Sequence, residues 1–196
     1  MLIQIGAGIV AAGGLFALVV ATRPSEFRVA RTTTVAAPAA VVFANLNDLR
    51  RWRDWSPYEG LDPALKRTYG GAPSGVGATY GWEGNAKAGA GTMTVTESIP
   101  GRRIGIELAF TRPFKATNQA DFTIEPAAGG GVSVTWAVSG NHSFMSKAFT
   151  MFVPMDKLVG GEFERGLAKL KTLSESQAAV VAAVPTTPVA AASRGQ

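Results

Sequence analysis

Apolar and polar residues alternate with a period of two through the middle of this chain, a pattern that marks strands. In the stretch 91–99, Met93, Val95, Glu97 and Ile99 share one face while Thr92, Thr94 and Thr96 share the other. Ile104, Ile106, Leu108 and Phe110 align in 103–110, and Asn118, Ala120, Phe122 and Ile124 align in 116–124. Val132, Val134, Trp136 and Val138 form the same kind of file in the last stretch of the set. Phe27 to Val35 reads as a first strand, with shorter ones predicted at 66–69 and in the glycine-framed segment 75–84. Turns at Pro100-Gly101 and at Gly129 to Gly131 join consecutive strands and predict antiparallel hairpins.

Two regions switch to helical periodicity. Ala37-Pro38 opens a helix through Ala39, Val42, Phe43 and Leu46, since proline is well placed in a first helical turn. Asn47-Asp48 breaks it and caps a short second helix around 49–52, which Trp55-Ser56-Pro57 ends. Near the C-terminus, Ser143 to Val153 is helical, Pro154 interrupts, and Asp156 to Leu173 is amphipathic. Val159, Phe163, Leu167 and Leu170 make the apolar stripe of that helix, opposite Glu162, Glu164, Arg165, Lys169 and Lys171. Gly160, Gly161 and Gly166 either let it approach the sheet closely or weaken it. The order is strand, two short helices, about six strands and a long helix. It predicts an α+β domain in which a curved antiparallel sheet wraps the C-terminal helix.

The N-terminus follows neither pattern. Ile5 to Ala21 carries no charge, and Leu2 to Thr22 supplies the roughly 20 mostly apolar residues that span about 30 Å of hydrocarbon. Gly6-Ala7-Gly8-Ile9-Val10-Ala11 also fits a dinucleotide fingerprint, with Glu26 at a suitable distance. That reading fails because the following helix has no polar face and the rest of the chain does not alternate strand and helix. A cleaved signal peptide would need a positively charged start, which is absent. The expectation is a single transmembrane helix. Arg23, Arg28 and Arg31 behind it place the remainder on the cytoplasmic side of a membrane. The chain then divides into an anchor at 1–22, a folded domain at 23–173 and a low-complexity tail at 174–196.

Composition removes several chemistries. The absence of cysteine excludes disulfides, thiolate metal sites and thiol nucleophiles, and a single histidine, His142, excludes a His-rich zinc site. The net charge of +5 is spread among acidic residues without forming a basic stripe, so nucleic acid is not an expected partner. No phosphate loop or Ser/His/Asp order is present, and no cofactor is expected.

Val35-Ala36-Ala37-Pro38, Val42-Phe43, Asn47-Asp48, Trp52 and Trp55-Ser56-Pro57 resemble the opening of the SRPBCC (START-like) superfamily, in its bacterial polyketide cyclase/dehydrase and lipid-transport branch. Gly75-Val-Gly-Ala before Tyr80 and Trp82 is similar too, as are Pro113 to Asn118 and Met155-Asp156-Lys157. The resemblance spans about 26–173. It implies a helix-grip fold with a hydrophobic cavity and a hydrophobic small molecule or lipid as partner, and it brings no universal catalytic residue.

The strand faces project Tyr80, Trp82, Met93, Phe110, Phe122 and Trp136, and the helical region adds Phe149 and Phe152. Each alone reads as core, whereas the set reads as the lining of an apolar pocket. Glu97 and Asn118 stand out as polar residues on apolar faces. Either would orient a ligand or, for the carboxylate, exchange a proton; a strand-end position in water is the competing reading for Glu97. His142, after Gly140-Asn141, reads as a capping or surface residue. The expectation is a membrane-anchored module that shelters a hydrophobic or amphiphilic molecule. The alternatives are a cyclase/dehydratase-type enzyme using Glu97, Tyr80 or His142 as acid/base, and an interaction protein with a collapsed cavity.

Overall fold

Seven strands hydrogen-bond in the order β1-β7-β6-β5-β4-β3-β2, every neighbouring pair antiparallel. In chain order they are β1 (Glu26–Val35), β2 (Lys66–Gly71), β3 (Ala78–Glu83), β4 (Ala90–Ile99), β5 (Arg103–Arg112), β6 (Ala116–Pro126) and β7 (Val132–Asn141). Between β1 and β2 lie helix α1 (Ala39–Asn47) and two 3-10 turns, Leu49–Asp54 and Pro57–Gly60. After β7 come the short α2 (Phe144–Thr150) and the long α3 (Met155–Ala183). This computed structural model describes residues 13–151 and 153–183.

Local chemistry sets the hairpins. The Arg102 amide bonds the Ile99 carbonyl at 3.0 Å, with Pro100 second in the turn and Gly101 third at φ +67°. That is the type II arrangement, which needs a residue free to take positive φ at its third position. Helix α1 ends where two indoles meet its free carbonyls. Trp52 Nε1 donates to Leu46 O at 3.0 Å and Trp55 Nε1 to Asn45 O at 3.2 Å. The same two rings then pack on Phe122 and Trp136, so capping and core formation are one event.

Helix α3 lies across the inner face of the sheet. Phe163, Leu167 and Leu170 are buried there, and Phe163 stacks on Trp136 with ring centroids 4.1 Å apart. Gly166 makes the close approach possible: a Cβ there would stand 2.8 Å from the Trp136 ring and 2.9 Å from Pro57. Gly161, by contrast, faces open space. The helix also runs ten residues beyond the expected end at Leu173. Its extension is anchored: buried Asn45 donates to Ser174 Oγ at 3.1 Å and to Gln177 Oε1 at 2.8 Å, and Glu175 accepts from the Ala36 amide at 2.8 Å. The rest of the expected tail, 184–196, lies outside the described residues.

The N-terminal expectation is corrected. Residues 13–22 are helical, and ten residues rise about 15 Å, half of a hydrocarbon core. Among the described residues no helix is long and apolar enough to cross a membrane. Helix α3 has the length but carries charges along it. Single-pass membrane localisation with a cytoplasmic domain is overturned on that finding. Residues 2–12 of the expected span lie outside the described residues.

Candidate functional site

A hollow of about 350 Å³ separates the first turns of α3 from the sheet. Its origin is visible in the inward files of the central strands. On β6 the file runs Ile124, Phe122, Ala120, Asn118, and on β7 it runs Val134, Trp136, Val138, Gly140. Large side chains fill one end and small ones leave the other open. Asn118 lies directly over Gly140, where a Cβ would collide with the Asn118 amide oxygen.

From the sheet, Tyr80, Trp82, Met93, Leu108, Phe110, Asn118, Ala120, Trp136 and Val138 line the hollow. Helix α3 contributes Met155, Val159 and Phe163, and the 3-10 region contributes Trp52, Ser56, Tyr58 and Glu59. Phe27, Leu61, Leu65, Lys87 and Ala88 complete the wall. Tyr80, Trp82, Met93, Phe110, Asn118 and Trp136 of the expected set therefore meet at one place. Trp82 is held there by a hydrogen bond from its Nε1 to Ala88 O at 3.1 Å. The Trp136 Nε1 is buried with no hydrogen-bond partner among the described residues.

Three expected positions fall elsewhere. Glu97 is on the outer face because β4 carries a bulge. Val95 faces Ile106 across the ladder, the register shifts, and then Glu97 faces Gly105 and Ser98 faces Ile104. One extra residue reverses which parity points inward. Ser98 accordingly bonds Asn47 of α1 at 2.7 Å, while Glu97 pairs with Arg103 at 2.8 Å. Phe122 is fully buried, but it is core: it stacks 5.1 Å from Trp136 and meets Trp52 and Trp55 edge-on. Phe149 is 56% exposed on α2. Phe152 lies outside the described residues. His142 lines a separate crevice of about 200 Å³ with Arg23, Glu26 and Lys147. Its amide bonds Ser25 O at 2.6 Å, its Nδ1 lies 2.9 Å from Ser146 Oγ, and its ring stacks on Phe27. Burial, then the positive charge of Lys147, holds the imidazole pKa below its ordinary value.

The hollow's polar end was not visible in the residue pattern. Glu59, on the second 3-10 turn, has a side chain only 10% exposed. Its Oε2 accepts from Arg67 Nε at 2.6 Å, and its Oε1 accepts from the Tyr80 hydroxyl at 2.6 Å. Arg67 is held further by Nη1, which donates to Leu65 O at 2.8 Å, and by Nη2, which donates to Glu59 O at 3.3 Å. Burial first, then the hydrogen bond to Glu59, pushes the Tyr80 phenol well above its ordinary pKa, so it keeps its proton. Burial does the same for Tyr58. A carboxylate in the run Pro57-Tyr58-Glu59-Gly60-Leu61, amid apolar residues, was the one signal that could have found it. Among the described residues no group of His, Cys, Asp and Glu could hold a metal ion.

An antiparallel sheet closed over a long C-terminal helix recurs in solved structures. The Zhui aromatase/cyclase from a Streptomyces species matches with a TM-score of 0.57 at 16% identity, over 78% of this chain and 95% of that one. A protein of unknown function from Staphylococcus aureus matches at 0.56 and 9% identity, over 78% and 95%. A structure from Thermobifida fusca matches at 0.53 and 20%, over 74% and 90%. At such identities these likenesses show a shared fold. No curated protein matches the sequence. The family model for "Polyketide cyclase / dehydrase and lipid transport" matches residues 26–175, from the first residue of β1 to the Glu175 that bonds Ala36. With that match covering the sheet, the 3-10 turns and most of α3, the chain belongs to the polyketide cyclase/dehydrase and lipid transport family.

Proposed function

We propose that this protein binds a hydrophobic or amphiphilic small molecule, lipid-like in chemistry, in the hollow between α3 and the sheet. The supporting observation is the hollow itself. At about 350 Å³ it falls in the range of small-molecule sites, and its wall is aromatic and aliphatic with a few placed polar groups. Met93 and Met155 in that wall allow it to adjust to shape.

A cyclase or dehydratase would need a cavity carboxylate free to exchange protons. Glu97 is outside, and Glu59 already gives one oxygen to Arg67 and the other to Tyr80. That engagement favours holding a ligand over moving its protons.

The test is to purify the full chain without detergent, extract it with organic solvent and identify the extract by mass spectrometry. A stoichiometric apolar molecule is expected from the wild type. Ala120→Phe, which fills the hollow from the buried floor of β6, is expected to carry none. A wild-type protein that is empty under several expression conditions would count against the proposal.

A further inference from the structure

We infer that the Glu59–Tyr80 pair selects ligands that present a neutral hydrogen-bond donor, a hydroxyl, at the buried end of an otherwise apolar body. This rests on the cavity-binding reading above and assigns the chemistry of its polar end.

The argument is a count of donors and acceptors. The Tyr80 hydroxyl has one proton and spends it on Glu59 Oε1. What remains on that oxygen toward the hollow is a lone pair. The Glu59 carboxylate, ion-paired with Arg67, offers lone pairs only. Arg67, the cation that might have supplied a donor, spends three of its five N–H groups on the Glu59 carboxylate and the Leu65 and Glu59 carbonyls, and it is not part of the wall of the hollow. Both Glu59 and Tyr80 line the hollow. The pair therefore asks a ligand for a proton. A hydroxyl satisfies it, a hydrocarbon leaves it unmet, and a carboxylate meets lone pairs and like charge. The other polar groups in the wall lie outside this pair: Asn118, Ser56 and Tyr58 can both donate and accept, the unpartnered Trp136 Nε1 can donate to the oxygen of the same hydroxyl, and Lys87 is an exposed side chain on the β3–β4 turn.

Three probes of one shape separate the possibilities: 2-naphthol, naphthalene and 2-naphthoate, titrated calorimetrically into the full chain at neutral pH. 2-Naphthol is expected to bind about tenfold or more tightly than either of the others, as a hydrogen bond to a charged group allows. In Glu59→Gln, which puts an amide donor where the carboxylate stood, that preference is expected to shrink to within about twofold, whereas in Tyr80→Phe, which frees a carboxylate oxygen of Glu59, it is expected to persist or widen. Tyr69→Phe, which removes a neighbouring hydroxyl outside the wall, is expected to keep it. Should Glu59→Gln fail to fold because Arg67 loses its partner, the wild-type ratio and Tyr80→Phe decide. Equal binding of all three, or a preference for the naphthoate, overturns this inference while leaving the cavity reading intact. Binding of none of them removes both.

Discussion

Tyr69 and Tyr80 face each other across the β2–β3 ladder with ring centroids 5.2 Å apart, yet only the Tyr80 hydroxyl has a partner. The Tyr69 hydroxyl is buried with none among the described residues, beneath the Arg50 guanidinium that lies 5.3 Å from its ring centre. Two phenols of the same size on paired positions thus carry opposite hydrogen-bond balances. Tyr80→Phe is expected to cost about 1.5 to 3 kcal/mol, because it breaks a bond to a charged acceptor. Tyr69→Phe removes an unmet group at constant shape and is expected to be neutral or mildly stabilising. Urea unfolding of the two variants side by side measures the contrast. Equal losses would contradict it.

The glycines of α3 divide in the same way. Gly161→Ala places a methyl in open space and is expected to stabilise by about 1 kcal/mol through helix propensity alone. Gly166→Ala drives its methyl against the Trp136 and Pro57 rings and is expected to destabilise by about 1 to 3 kcal/mol. Thermal melts that moved in the same direction for both would show that the helix does not press on the sheet at Gly166.

His142 is the chain's single histidine, so its titration can be followed without assignment. Its NMR pKa is expected below 6.5, and Lys147→Gln is expected to raise it by removing a like charge. A base with a depressed folded pKa binds its proton more tightly in the unfolded chain. Stability is therefore full above about pH 6.5 and falls as the pH drops toward the folded value. A measured pKa above 6.5 would contradict the packing of the ring against Phe27.

At lower pH the start and the far end of α3 matter. Arg31 grips Asp156 with two bonds of 2.8 and 2.9 Å, which holds that carboxyl below its ordinary pKa. Glu175 is held low first by the Ala36 amide and then by Lys171. Carboxyls with depressed folded pKa values contribute stability above roughly pH 4, and it is lost as the pH falls through the folded values. Asp156→Asn is expected to flatten that acid limb in a plot of unfolding midpoint against pH. An unchanged slope would mean that the Arg31 contact does not persist in solution.

Much of the sheet was legible because an alternating file leaves little choice of face. Ile104 and Ile106 on β5 and Val132, Val134 and Trp136 on β7 are buried as the period of two requires. Glu97 was misplaced because a bulge inserts a residue without altering the look of the alternation, and Met93-Thr-Val-Thr-Glu reads smoothly through it. Phe122 shows a different limit. The pattern identifies its face but not the depth to which Trp52, Trp55 and Trp136 bury it. Glu59 escaped because a 3-10 turn has no long period, and its partners Arg67 and Tyr80 arrive on later strands. At the N-terminus, hydropathy alone suggested a span that the described helices do not provide.

The central claim is that an apolar ligand occupies the hollow under α3, and the methionine methyls report on it most directly. Met93 and Met155 line the hollow, whereas Met151 lines the separate crevice beside His142. With methyl-labelled methionine and increasing 2-naphthol, the Met93 and Met155 signals are expected to shift together and saturate, while Met151 stays in place. Saturable shifts confined to Met151, or none at Met93 and Met155, would contradict the account.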